Sequence, residues 1–304
     1  MIVIVCPGQG SQTPGFLSPW LELPGTREHL GALADAAQVD LVAHGTTSDE
    51  ETIKDTAVAQ PLLVGAGLLT LRALGGPAGA GALSGHSVGE ITAAAGAGVL
   101  AEDDAMRLVA LRGRGMAEAS AATPTGMSAV LGGDPDEVLA AVASHGLTPA
   151  NVNGAGQVVA AGALDALAAL AAEPPTRARV IPLKVAGAFH TSYMQPAVDA
   201  LAAAAAGLSP ADATVPLVSN RDGEIVTDGR EVLNRLVAQV SNPVRWDLCM
   251  ERFATLGVTA LIELAPAGTL VGLAKRALKG VELLALKSPD DLEAARTLVQ
   301  EHSA

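Results

Sequence analysis

Cysteine, aromatic residues and positive charge are all scarce in this chain. Two cysteines among 304 residues, Cys6 and Cys249, are too few for a disulfide framework or a metal site, and they point to a reducing compartment, so a cytoplasmic protein is expected. Aromatic residues make up 2%, which removes the stacking platforms on which single-stranded nucleic acid is held. Nineteen lysines and arginines face 32 aspartates and glutamates, a formal net charge of −13. Neither nucleic acid nor an anionic membrane is a natural partner for such a surface. Hydrophobic residues reach 49%, yet no uninterrupted apolar span of membrane length stands out, because the longest runs are rich in alanine and glycine. Met1-Ile2-Val3-Ile4-Val5 lacks a basic leader and a cleavage site and reads as a first strand.

What is present is an alternation of strands and helices long enough for one large domain and a smaller one. Ile2 to Cys6 is uniformly apolar and β-branched, as a strand buried on both faces must be. It leads into Pro7-Gly8-Gln9-Gly10-Ser11-Gln12, whose glycines let backbone N–H groups face a ligand or an oxyanion. The third glycine of a dinucleotide fingerprint is missing, which argues against that use. Asp55-Thr56 marks a helix start, and Pro61 to Leu74 is apolar enough for a buried helix. Gly81 to Leu83, then Gly85-His86-Ser87-Val88-Gly89-Glu90, then Ile91 to Ala97 read as strand, sharp turn and helix, with a serine at the apex. Glycines two residues either side leave room for the chain to pass, and the helix N-terminus favours developing negative charge. A further helix runs from Glu102-Asp103-Asp104 towards Met116 and carries Arg112 and Arg114 near its middle.

Thr123-Pro124-Thr125-Gly126 breaks the pattern, and a domain junction is expected there. The next stretch reads strand (Met127 to Leu131), helix (ending near Ser144-His145-Gly146), two strands around Gly154-Ala155-Gly156, helix (Leu164 to Ala171) and strand (Ala178 to Leu183). That β-α-β-β-α-β order belongs to a ferredoxin-like subdomain. Alternation then resumes: helices over Ser192 to Leu208, Glu231 to Val240, Trp246 to Leu256, Thr269 to Leu278 and Asp290 to His302, with strands at Val215 to Val218, Ala260 to Glu263 and Val281 to Ala285. The expected architecture is α/β, a large hydrolase-like domain (1–124 and 192–304) with a parallel sheet and a serine elbow, interrupted by a small ferredoxin-like subdomain (125–191). A cleft between two such units is a common small-molecule site.

A serine hydroxyl is a weak nucleophile until an adjacent base takes its proton. His86 neighbours Ser87 but, on a sharp turn, points elsewhere. His29, His44 and His302 lie in polar stretches expected to be exposed, and His145 ends a helix. His190 follows Val185-Ala186-Gly187-Ala188-Phe189 at the return from the small subdomain, where it reads either as the base or as a structural histidine.

These motifs, with Leu111-Arg112-Gly113, Asn151-Val152-Asn153, Gly187-Ala188-Phe189-His190, Gln239 and Asn242-Pro243-Val244-Arg245-Trp246, come in one order along the whole chain. The set resembles the malonyl-CoA:acyl carrier protein transacylases and the related acyltransferase domains of polyketide and fatty acid synthases. The resemblance implies Ser87 as nucleophile and His190 as general base and acid. It implies an oxyanion hole from the backbone N–H groups of Gln9 and Val88, Arg112 as clamp for the malonyl carboxylate, and the Gln239 carbonyl orienting the histidine. Without it, Arg112 reads as readily as a solvated helix arginine, and Asn151 and Asn153 as hairpin asparagines bonding their own turn; with it, both asparagines line the cleft.

Phe189 stands where methylmalonyl-selecting relatives carry a serine, so its ring is expected to crowd a 2-methyl branch, as Val88 also suggests. Gly187 departs from the histidine common in modular malonyl-specific domains. The implied substrate is malonyl-CoA, with no permanently bound cofactor and no metal, and the implied partner is an acidic acyl carrier protein. Docking such a partner on a chain this acidic requires a local basic patch, for which Lys275, Arg276 and Lys279 are candidates, with Arg72 or Lys184 contributing. A monomer is expected. A serine thioesterase using the same elbow, or a non-catalytic acyltransferase-like binding module, are the competing readings.

Overall fold

The computed structural model describes residues 1–303, and among these the strands form two sheets. In chain order the strands are β1 (Ile2–Cys6), β2 (Ala80–Gly85), β3 (Thr125–Gly132), β4 (Thr148–Gly154), β5 (Gln157–Ala163), β6 (Ala178–Pro182), β7 (Leu217–Val218), β8 (Ile225–Val226), β9 (Val244–Arg245), β10 (Ala260–Glu263) and β11 (Glu282–Ala285). The larger sheet runs β11-β10-β1-β2-β7-β8 and is parallel except at the β7–β8 edge.

β1 sits near its centre and is fully buried, and its alternation serves both faces. Ile2, Ile4 and Cys6 enter one apolar cluster, Val3 and Val5 the other. Helix Thr56–Leu74 packs on one face. By length and composition it could cross a membrane, but Gln60, Thr70 and Arg72 interrupt its apolar run, as expected from the sequence, and 78% of that window is buried inside the protein. It is the core helix that a large α/β domain requires.

The smaller sheet runs β6-β3-β5-β4-β9, antiparallel through β4. Its first four strands, numbered within the insert, give the order 4-1-3-2 of a ferredoxin-like unit. Helices Pro135–Ser144 and Leu164–Ala172 fill the two crossovers. The fifth strand, β9, arrives from the far side of the chain and pairs in parallel with Asn151 and Val152.

Several element limits differ from expectation for local reasons. The expected strand from Val215 shortens to β7 after Pro216, which has no N–H to give. The helix expected from Ser192 opens as a tight 3₁₀ turn, Ser192–Met194, and becomes α-helical at Gln195. Helices Thr26–Ala37, Leu41–Thr46 and Glu50–Lys54 fill a stretch where the sequence suggested none. His29, expected to be exposed, is buried there with Nε2 2.7 Å from Glu102.

Candidate active site

Ser87 sits on the turn after β2 with φ at +52°, a left-handed backbone. The flanking glycines are required sterically. A methyl group on Gly85 would lie 2.0 Å from the Gly89 carbonyl carbon, and one on Gly89 would lie 2.2 Å from the Cys6 carbonyl oxygen. The Ser87 N–H donates to Asn220 Oδ1 at 2.8 Å, and the Asn220 Nδ2 donates to the Gly85 carbonyl at 2.6 Å. Asn220, fully buried, thus clamps both sides of the elbow.

Ser87 Oγ is 2.7 Å from His190 Nε2. On the other edge of the ring, His190 Nδ1 donates to the Gln239 backbone carbonyl at 2.8 Å, which leaves Nε2 as the acceptor. Burial, and then the nearby Arg112 cation, push the His190 pKa down to about 3, so the ring is neutral and able to take a proton at neutral pH.

Arg112, from helix Glu102–Ala122, is 1% exposed. Its Nη1 donates to Gln60 Oε1 at 2.7 Å, and its Nη2 to Gln239 Oε1 at 2.9 Å and, at 3.4 Å, to Ser87 Oγ. Among the described residues its buried Nε–H has no partner. Burial lowers the Arg112 pKa to about 10, with Glu90 acting in the opposite sense, so the guanidinium stays charged at neutral pH.

Gln239 joins the parts. Its carbonyl holds His190, its Oε1 holds Arg112, and its Nε2 donates to the Ser87 carbonyl (3.1 Å) and to the Glu90 carboxylate.

The space in front of Ser87 is a cleft of about 240 Å³ between the two sheets. Gln9 and Val88 line it beside Ser87, and among the described residues neither backbone N–H has a hydrogen-bond partner. The first loop lies directly on the elbow: a methyl on Gly8 would come within 2.8 Å of the His86 carbonyl oxygen. Asn151, Asn153 and Phe189 all line the cleft. Asn153 Oδ1 also meets His86 Nε2 at 2.9 Å, and the His86 ring packs edge-on against Trp246. His86, which also lines the cleft, therefore braces the small sheet against the elbow, and the imidazole that Ser87 Oγ meets is that of His190. At Gly187 the space a side chain would need is filled by Ser120.

Lys275 and Arg276 are exposed on helix Thr269–Ala277, whose first residues line the cleft. Lys279 follows, its Nζ donating to the Lys275 carbonyl at 3.3 Å. Buried Glu263 accepts from the N–H groups of Gly268, Leu270 and Val271 and so fixes the start of this helix. Lys184 lines the cleft, whereas Arg72, at the far end of its helix, stands near Glu102.

Three supporting residues were not singled out from sequence. They are Asn220, Glu90 and Gln60, the last a polar residue in the largely apolar helix Thr56–Leu74. That polar position in an apolar run is the one signal of the three that the sequence carries.

A parallel α/β sheet, a serine on a strained strand-to-helix turn and a buried histidine in contact with it define the serine-nucleophile class of α/β proteins. The comparisons with known proteins narrow the class. The acyl transferase domain family matches residues 3–298. A malonyl CoA-acyl carrier protein transacylase of Mycobacterium tuberculosis is 55% identical over 297 residues, 96% of this chain and 98% of that one. The crystal structure of MCAT from Mycobacterium tuberculosis superposes with a TM-score of 0.94 at 54% identity, covering 97% of this chain and 99% of that one. A malonyl-transacylase in complex with a holo type II polyketide synthase acyl-carrier protein gives 0.90 at 32% identity, covering 98% and 99%. This chain belongs to the acyl transferase family, in its malonyl CoA-acyl carrier protein transacylase branch.

Proposed function

We propose that the protein moves a malonyl group from malonyl-CoA to the phosphopantetheine thiol of an acyl carrier protein, through a malonyl ester on Ser87. The observation that carries this reading is Arg112, a buried guanidinium 3.4 Å from the serine hydroxyl with an unpartnered Nε–H. A carboxylate is the group that satisfies such a fork with paired, charge-assisted bonds.

His190 Nε2 takes the Ser87 proton as Oγ attacks the thioester carbonyl. The carbonyl electron pair moves onto oxygen, between the N–H groups of Gln9 and Val88; each such donor is worth roughly 10²–10³ in rate. Collapse breaks the carbon–sulfur bond, and the proton passes from His190 to the departing CoA sulfur. The carrier thiol then repeats the sequence in the reverse sense, with His190 taking its proton and returning it to Ser87. The Gln239 carbonyl does the orienting that an acid does in a triad, so the machinery is a dyad. No cofactor enters this chemistry.

Asn151 and Asn153 form the small-sheet wall of the acyl site and Phe189 the wall beside the histidine. Lys275, Arg276 and Lys279 form the docking patch for the carrier protein. Residues 125–191 act as one unit over the cleft, and residues 1–124 and 192–304 as the other. The protein works as a monomer in the cytoplasm, in keeping with two free, buried cysteines.

Intact-mass measurement after mixing with malonyl-CoA tests the reading. One malonyl adduct is expected on the native chain and none on Ser87→Ala. The adduct should pass to carrier-protein thiol faster than to water; the reverse preference would make the protein a thioesterase, and no adduct at all a binding module.

A further inference from the structure

Glu90 is a buried charge that the mechanism above leaves unused. Its carboxylate accepts from the Asn220 backbone N–H at 2.6 Å and from Gln239 Nε2. Gln239 presents its other amide atom, Oε1, to Arg112 at 2.9 Å. This amide orientation is dictated by its neighbours: the Glu90 carboxylate and the Ser87 carbonyl need donors on one side, and the guanidinium needs an acceptor on the other. Glu90 and Arg112 therefore oppose each other across a single amide.

The other charged and titratable groups around Glu90 are already engaged. Arg235 is held by Asp222 at 2.7 Å and Glu231 at 2.8 Å, Arg245 by Asp247 at 2.8 Å, and Arg221 lies 4.0 Å from Glu231. Burial pushes the Cys249 thiol pKa well up and the His86 and His190 pKa values down, so all three are neutral.

A second cavity, of about 370 Å³, is walled by Arg221, Arg235, Arg245, Asn242, Gln239 and Glu90. Ser87, His190 and Arg112 are not part of its lining, so it reaches Glu90 from a side other than the nucleophile.

We propose that Glu90 is the internal counter-charge of Arg112 and that it yields this role to the acyl carboxylate, taking up a proton from water through the rear cavity. The proposal rests on Arg112 receiving the malonyl carboxylate. When that group arrives, two carboxylates share one guanidinium in a buried site, and the less favoured one is neutralised. Glu90 is poised for this, because burial holds its pKa up to about 7. One O–H bond forms on Glu90 at the expense of a proton from solvent, and the proton returns when the acyl group leaves. An acetyl group brings no charge, so Glu90 stays ionised and keeps Arg112 engaged. Glu90 is thus a positioning residue that sets acyl selectivity.

Calorimetric binding of malonyl-CoA to the full chain carrying Ser87→Ala, at pH 8 in buffers of differing ionisation enthalpy, tests this. About half a proton or more should be taken up per malonyl-CoA bound, and none with acetyl-CoA. With Glu90→Gln added, the malonyl-CoA uptake should vanish. In the otherwise native chain, KM for malonyl-CoA in self-acylation should climb from pH 7 to 9, approaching about tenfold per pH unit, and be flat in Glu90→Gln. Malonyl-CoA binding without proton uptake overturns the proposal, and so does uptake unchanged in Glu90→Gln or equal for acetyl-CoA. The malonyl/acetyl comparison keeps Glu90 in place, so it stands even if Glu90→Gln fails to fold. Failure of malonyl-CoA to bind, or acetyl-CoA binding equally well, would instead overturn the malonyl reading itself.

Discussion

Ser87 and His190 both hold left-handed backbones, at φ +52° and +60°, and their side chains meet at 2.7 Å. Of the five non-glycine residues with positive φ among the described residues, the other three are Gln38, Ala155 and Arg177, none of which lines the cleft. Strain of this kind costs about 1 kcal/mol or more per residue and persists where surrounding bonds over-determine it. Those bonds here are the Asn220 clamp on Ser87 and the Gln239 carbonyl on His190. Ser87→Gly should relieve the strain and Ser87→Ala should not. Both abolish acylation, but the glycine variant should unfold at or above the alanine variant, by up to about 1 kcal/mol, or about 2 °C in melting temperature. A clearly more stable alanine variant would show that the elbow is not strained.

Arg112 binds two separate glutamines and still offers donors to a ligand, a geometry that a single ammonium cannot reproduce. Arg112→Lys and Arg112→Ala should both lower kcat/KM for malonyl-CoA by about 10²-fold or more. Acetyl-CoA turnover should change far less. Comparing the two substrates in each variant checks this, and near-native malonyl activity in Arg112→Lys would contradict the clamp.

The depressed pKa of His190 fixes an acid-side signature. A base whose pKa is lowered stays unprotonated as pH falls, so kcat/KM for acyl-enzyme formation should show no histidine-type decline between pH 7 and 5. An imidazole at the usual value near 6.5 would lose about thirtyfold by pH 5. Single-turnover acylation across that range decides between them. A midpoint near 6.5 would mean that Arg112 and burial do not control this ring.

Phe189 is 7% exposed and lines the cleft that also holds Ser87 and His190. Phe189→Ser should open room for a 2-methyl branch and narrow the malonyl/methylmalonyl ratio of kcat/KM by about tenfold, the usual worth of one methyl-sized contact. An unchanged ratio would remove Phe189 from the selectivity of the site.

The sequence made the elbow and the order of the insert legible because each is a local pattern, glycine spacing in one and strand and helix rhythm in the other. His190, by contrast, reads from its surroundings either as a base or as a structural histidine until the family resemblance separates the two. The supports of the site have no such pattern. Glu90 and Asn220 meet across 130 positions, and Gln60 and Arg112 across 52. Nothing near any of them in the chain announces the contact. His29 is buried against expectation for the same reason, since Glu102, its partner, lies 73 positions away. Helices Leu41–Thr46 and Glu50–Lys54 are too short to show a periodic face, and their Asp40 and Asp49 caps are visible only once the turns have formed.

The pairing of β9 with β4 bears on engineering. A graft that exchanged residues 125–191 alone between relatives would carry Asn151 and Val152 on a strand whose outer partner, Val244–Arg245, stayed behind in the host. Any mismatch there would expose a bare strand edge, an invitation to self-association. Chimaeras meant to transplant acyl selectivity should therefore move the Val244–Arg245 segment together with the insert, as a two-piece cassette.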